Sequence, residues 1–251
     1  MVSAVGRSGG ADVHQAIYNA ASATGVDFNY LLNQARVESS LNPNAKARTS
    51  SATGLYQFIE QSWLGVVAKH GDNHGLRWAA SAIQRGSDGR FRVADPAMRS
   101  AILDLRRDPH ASAAMAGEFA SDNRDLLETK LGHQVEPVDL YLAHFLGAAG
   151  AASFLRNHEA NPDASAAALF PAPAQSNRGI FFDRDGSARS LGEVRERFAA
   201  RFEGTPSTPS IFQQNTTVPD TRWTLRQVKG DGATAHARLA YLMLASLGVS
   251  A

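Results

Sequence analysis

The chain has no cysteine. Disulfides, thiolate metal sites and cysteine nucleophiles are therefore excluded. A chain without thiols tolerates an oxidising compartment, although it does not demand one. An excess of either charge is also missing: 25 basic residues against 24 acidic leave a net charge of +1. No strong field favours nucleic acid or an anionic membrane, and no basic cluster resembles a nucleic-acid footprint. There is no Gly-rich phosphate loop and no serine-hydrolase elbow. The longest apolar runs, near 140–152 and 239–249, are too short or too interrupted to span a bilayer. Met1–Gly10 lacks the apolar core of a signal peptide.

What is present is a packed-core composition, with 43% hydrophobic and 20% charged residues over 251 positions. That length suits one domain with an appendage. Residues 1–10 are Gly/Ser-rich and read as a flexible N-terminus. From 11 to 170 the pattern is mainly helical. Val13, Ile17 and Ala20 recur at helical spacing, and Gly25 stops that helix. Asp27 is an N-cap for the next, which Asn42-Pro43-Asn44 breaks. Further helices are expected over about 60–70, 76–85, 96–106, 110–130, 137–147 and 148–158. Asp95-Pro96 and Asp108-Pro109 read as N-cap plus N1-proline starts. A small hairpin is expected around Arg85–Val93, through Ser87-Asp88-Gly89. Residues 171–251 read as a C-terminal extension. It opens on a Pro171-Ala172-Pro173 connection, forms a short helix over Ser190–Phe202, becomes a linker over 203–221 and ends in a helix over Ala233–Leu247.

The chemistry centres on Glu38. Leu31, Ala35 and Glu38 stand at i, i+4 and i+7 and share one helical face. A carboxylate on an apolar face is costly unless protonated or paired. Desolvation raises its pKa, as a general acid requires near neutral pH; the acid glutamate of lysozyme, set in a hydrophobic pocket, is the precedent. The bland alternative is a glutamate at a helix end, solvated or paired with Arg36 or Arg48. About fifteen residues on comes Gly54-Leu55-Tyr56-Gln57-Phe58. Its glycine permits positive φ or close backbone approach. Gln57 offers donors and an acceptor suited to sugar hydroxyl and N-acetyl groups, and Tyr56 and Phe58 suit apolar walls. The alternative is a loop entering a helix, with Leu55, Phe58 and Trp63 as core.

Glu38-Ser39 followed at this spacing by Gly54-Leu55-Tyr56-Gln57 resembles the Glu-Ser and Gly-Leu-Met-Gln motifs of the soluble lytic transglycosylases, lysozyme-like enzymes that cut peptidoglycan. The resemblance covers roughly residues 11–160. It implies a mainly α, lysozyme-like domain over 11–170, with Glu38 as both acid and base, Ser39 supporting the site and Gln57 contacting substrate. It implies a catalytic pattern without cofactor or metal, peptidoglycan glycan strands as partner, and a periplasmic or envelope location; an envelope-spanning assembly such as a flagellum or secretion system is a further expected partner. The family's third motif, Ala-Tyr-Asn-Ala-Gly, is matched by the stretch Ala143–Gly150, with Phe145 set at the tyrosine and Leu146 at the asparagine. Tyr56 replaces the methionine. Tyr141 and His144 are then the nearby groups expected to stand in for the tyrosine hydroxyl, and with Ser39, Gly54, Tyr56, Gln57, Phe58 and Phe145 they complete the expected binding set.

Other groups have blander readings. His70 and His74 have a helical metal-ligand spacing, but Gly71 between them and the lack of a third ligand argue against zinc. Arg106-Arg107 and 195–201 read as solvated faces. Glu118, Asp122 and Asp139 read as ion-pairing or capping groups, although each is also a candidate second carboxylate for a hydrolytic muramidase. A peptidoglycan-binding or assembly protein with a vestigial site is the other alternative.

Overall fold

The computed structural model describes residues 8–48 and 50–203. The expected linker over 203–221 and the helix over 233–247 lie outside the described residues beyond Glu203, as do residues 1–7. The described chain is mainly helical: α1 (Ser8–Thr24), α2 (Phe28–Ser39), α3 (Glu60–His70), α4 (Arg77–Ala82), α5 (Pro96–Asp104), α6 (Pro109–Leu131), α7 (Pro137–Ala160), α8 (Ala166–Leu169), α9 (Pro171–Ser176), α10 (Arg178–Phe181) and α11 (Leu191–Glu203). Short 3-10 turns follow α3 at Gly71–His74 and α5 at Leu105–Arg107. Strands β1 (Ile83–Arg85) and β2 (Phe91–Val93) pair antiparallel, Ile83 opposite Val93, as the expected hairpin.

Local chemistry explains the element ends. The Asp27 carboxylate accepts from the Tyr30 amide, Asp95 from Ala97 and Met98, and Asp108 from Ala111, each satisfying donors that a helix start leaves free. Gly25 ends α1 at φ 68°. The helix expected over 76–85 stops at Ala82, because Ile83 turns extended and pairs into the hairpin. Pro171-Ala172-Pro173 opens a short helix rather than a simple connection, with proline at its first turn where a missing N–H costs nothing.

The core is one large cluster, with a small second one of Ala52 and Ile59 under the motif loop. α1 packs along α6, α6 along α7, and α11 against α7 and α2. Residues 171–203, read from the sequence as part of an extension, join that same core: Phe198 and Phe202 are buried and their rings meet Tyr30, Tyr141 and Phe145. α7 is long and apolar enough to cross a membrane, but 67% of its apolar window is buried in the body, which marks it as a core helix. It breaks at Gly147 (φ 70°, ψ 155°), the junction expected between the 137–147 and 148–158 helices. That backbone combination is open to glycine and to almost nothing else.

Candidate active site

Glu38 sits in the last turn of α2 and is 3% exposed, on the same face as the fully buried Leu31 and Ala35. The chain then turns sharply. Ser40 and Leu41 both adopt left-handed backbone, as does Gln57, and these are the non-glycine residues with positive φ among those described. Ser40 and Leu41 follow Glu38 directly, and Gln57 lies within the Gly54–Phe58 motif. Left-handed backbone costs roughly 1–2 kcal/mol per non-glycine residue, and such strain persists where surrounding contacts over-determine it, as functional sites do.

Those contacts can be named. The Ser39 hydroxyl donates to the Leu55 carbonyl at 2.7 Å and lies 3.0 Å from the Ala35 carbonyl, tying the end of α2 to the motif loop. Gly54 (φ 87°) runs so close to the Arg106 backbone that a Cβ there would stand 1.8 Å from its carbonyl oxygen. The Gln57 amide nitrogen donates to Gly54 O at 2.8 Å and to Ala45 O at 3.2 Å. Arg106 completes the frame. Its guanidinium donates to the carbonyls of Ser51, Phe58 and Leu103 at 2.7, 3.1 and 2.8 Å. The sequence reading of Arg106 as a solvated face is corrected here: the residue is buried, because three backbone carbonyls that turn inward need a donor. Burial pulls its pKa below the usual arginine value.

Beside Glu38 stands His144 of α7. Its Nε2 lies 3.3 Å from Glu38 Oε1, and its Nδ1 lies 3.2 Å from the Gln34 amide nitrogen. The imidazole stacks on Tyr141 at 6.2 Å and meets Phe119 edge-on. The side chain that reaches Glu38 is His144, while Phe145 turns to Phe198 of α11, ring centroids 4.7 Å apart.

The remaining expected site residues divide. Gln57, Phe58, His144 and Phe145 line a cavity of about 330 Å³ that also takes in Phe119 and Gly147. Ser39 and Tyr56 do not face it. Ser39 is buried with its hydroxyl directed at backbone, and Tyr56 is 1% exposed. Both are held inside because the motif loop folds back against α2. Burial pushes the Tyr56 phenol well above the usual tyrosine range, with Tyr30 adding to it; Tyr30 is raised by burial and then by the Glu38 charge. Tyr141 is buried against His144, Phe198 and Phe202. Trp63 is core, its indole N–H donating to Ile102 O, and Trp78 is exposed at 44%.

The carboxylates weighed as second catalytic groups are each held in ion pairs or caps, Asp122 on the wall of the same cavity. Glu118 faces both His70 and His74, and Asp122 meets Lys69 and His70. Burial raises the Asp122 pKa, but hydrogen bonds from Lys69 and His70 outweigh it and hold the carboxyl below its usual value. Asp139 accepts from the Glu136 amide in a capping box and pairs with Arg195. Neither Arg106 nor Gln34 stands out as a site group in the sequence. The Gln34 position one turn before Glu38 was a usable signal, since i and i+4 share a helical face. Residues 15–77, which span α1, α2, the motif loop and α3, match the family model described as Transglycosylase SLT domain. Over that stretch the chain is similar to the transglycosylase SLT family, a match that implies transglycosylase-type cleavage of peptidoglycan.

Proposed function

We propose that this chain is a lytic transglycosylase that cleaves the β-1,4 bond between N-acetylmuramic acid and N-acetylglucosamine without adding water. The observation that carries the reading is Glu38: a buried carboxyl inside the matched segment, in reach of His144 on the wall of an apolar cavity. Glu38 protonates the leaving glycosidic oxygen. The substrate's own acetamido group stabilises the anomeric carbon, the substrate-assisted exception to the two-carboxylate rule. Glu38, now a carboxylate, takes the proton of the muramyl C6 hydroxyl, which closes on the anomeric carbon as a 1,6-anhydro ring. One group thus acts in both steps. The engagement of Glu118, Asp122 and Asp139 in their own ion pairs supports this over a hydrolase that needs a second free carboxylate.

Gln57 and Phe58 belong to the glycan-binding wall in this reading, with Phe119 and Phe145. The substrate places the site of action at the cell envelope, and cutting the wall there serves the assembly of an envelope-spanning machine. The test is digestion of purified peptidoglycan by the wild type and by Glu38→Gln, with products resolved by mass spectrometry. The wild type should release anhydromuropeptides. Glu38→Gln should release them at least about 100-fold more slowly, the usual cost of losing a general acid, while still sedimenting with the glycan. Reducing-end products from the wild type would replace this reading with a hydrolytic one.

A further inference from the structure

Gln34, His144 and Glu38 form a buried chain that restricts where a proton can sit. The Gln34 amide nitrogen, which has only hydrogens to give, faces His144 Nδ1 at 3.2 Å. A ring nitrogen facing a donor must accept, so Nδ1 carries no proton and the imidazole hydrogen is on Nε2. That is the nitrogen 3.3 Å from Glu38 Oε1. Turning the amide over does not help. Gln34 is 3% exposed and its carbonyl oxygen already has no hydrogen-bond partner. A reversed amide would bring the carbonyl to Nδ1 but leave both N–H donors in that same unpartnered space, and a buried N–H is left unpaired more rarely than a carbonyl oxygen.

Consider the one proton that Glu38 and His144 share in the acid form of the site. It can rest on the imidazole, giving imidazolium beside carboxylate, or on the carboxyl, leaving both groups neutral. Attraction between opposite charges favours the first arrangement. That arrangement needs hydrogen on both ring nitrogens, and the one on Nδ1 would point into the Gln34 amide hydrogens. We propose that Gln34, by presenting a donor to Nδ1, keeps the shared proton on Glu38, so that His144 orients the glutamate without taking the proton that catalysis spends. His144 is thereby a positioning residue and Gln34 its lock. The inference rests on the transglycosylase reading of Glu38.

The position explains why the lock is needed. A phenol there would donate to the carboxylate and never compete for its proton near neutral pH, whereas an imidazole competes unless one nitrogen is blocked. Charged and titratable groups surround the pair among the described residues. Glu38 and the buried Tyr30 come from α2, and Tyr141 lies on α7 itself. Lys69 of α3 and Asp122 of α6 line the same cavity as His144 but are paired with each other. α11 presents Phe198 and Phe202 to Tyr141.

The test has two arms. In the first, ring 15N NMR of His144 in the whole wild-type chain at neutral pH, assigned with His144→Gln, should show a neutral imidazole with hydrogen on Nε2. In Gln34→Glu, where the new carboxylate accepts from Nδ1, the ring should become doubly protonated. The second arm is a double-mutant cycle on anhydromuropeptide release. Gln34→Glu should lower kcat by about 100-fold with KM nearly unchanged. His144→Gln, a neutral donor that cannot compete, should retain activity within about tenfold, and adding Gln34→Glu to it should change kcat by less than about threefold. Hydrogen on Nδ1 of the wild-type ring overturns the proposal, as does a Gln34→Glu loss of equal size in the His144→Gln background. If the wild type releases no anhydro product, the transglycosylase reading fails, and the NMR arm still decides the position of the proton. The wild-type spectrum alone is decisive should Gln34→Glu not fold.

Discussion

At the scale of single residues, the site is held by side chains turned to the backbone. Ser39 is the clearest. Its hydroxyl bridges the end of α2 to the Leu55 carbonyl, so it fixes the angle at which Glu38 leaves the helix. Ser39→Ala would leave that buried carbonyl without its donor, and we expect a loss of about 1–3 kcal/mol in unfolding free energy, measured by denaturant unfolding. Activity should fall as well, through misplacement of Glu38, with a larger effect on kcat than on KM. The Glu-Ser pairing and the Gly-x-x-Gln spacing were readable in the sequence because each is local and each demands a particular residue type. The third motif was harder to read, because Ala143–Gly147 contains no tyrosine, and the reach of His144 to Glu38 shows only in the fold.

At the scale of elements, two cross-links position the motif loop and α3. Arg106 joins the 3-10 turn after α5 to the loop through Ser51 and Phe58. Arg106→Met keeps the apolar stem but removes every donor. It should cost at least about 2–3 kcal/mol and speed hydrogen exchange of the 50–58 amides ahead of the rest of the chain. Lys69 and His70 of α3 grip Asp122 of α6. Because the folded pKa of Asp122 is depressed, its contribution is present above the unfolded value near 4 and is lost as pH falls through the folded value. Wild type and Asp122→Asn should therefore differ in Tm at pH 7 and converge as pH drops below about 4. Helix starts such as Asp27, Asp95 and Asp108 were visible in the sequence because cap and amide lie within three residues. Arg106 was not, since its loop partners lie 48 and 55 residues away, and Gln34 and His144 are separated by 110.

At the scale of the whole molecule, α11 closes the back of the site. Phe198 packs on Tyr141 and Phe145, which lie on either side of His144 in α7, and Arg195 clamps Glu136 and Asp139 at the start of that helix. The far end of the described chain thus sets the placement of the histidine beside Glu38. Phe198→Ala should cost about 3–5 kcal/mol, seen as a lowered denaturant midpoint, and should reduce activity by loosening α7. Composition and periodicity revealed a mainly helical body but not which residues of α11 it buries, because the sequence of α11 alone, rich in arginine and glutamate, reads as a surface helix.

In the proposed mechanism Glu38 passes a proton out and takes one back with no water consumed. Digestion of peptidoglycan in 18O-labelled water tests this without intermediary. Muropeptides should end in the 1,6-anhydro ring and carry no 18O at the cleaved anomeric carbon, from the wild type and not from Glu38→Gln. Reducing ends labelled with 18O would contradict the mechanism.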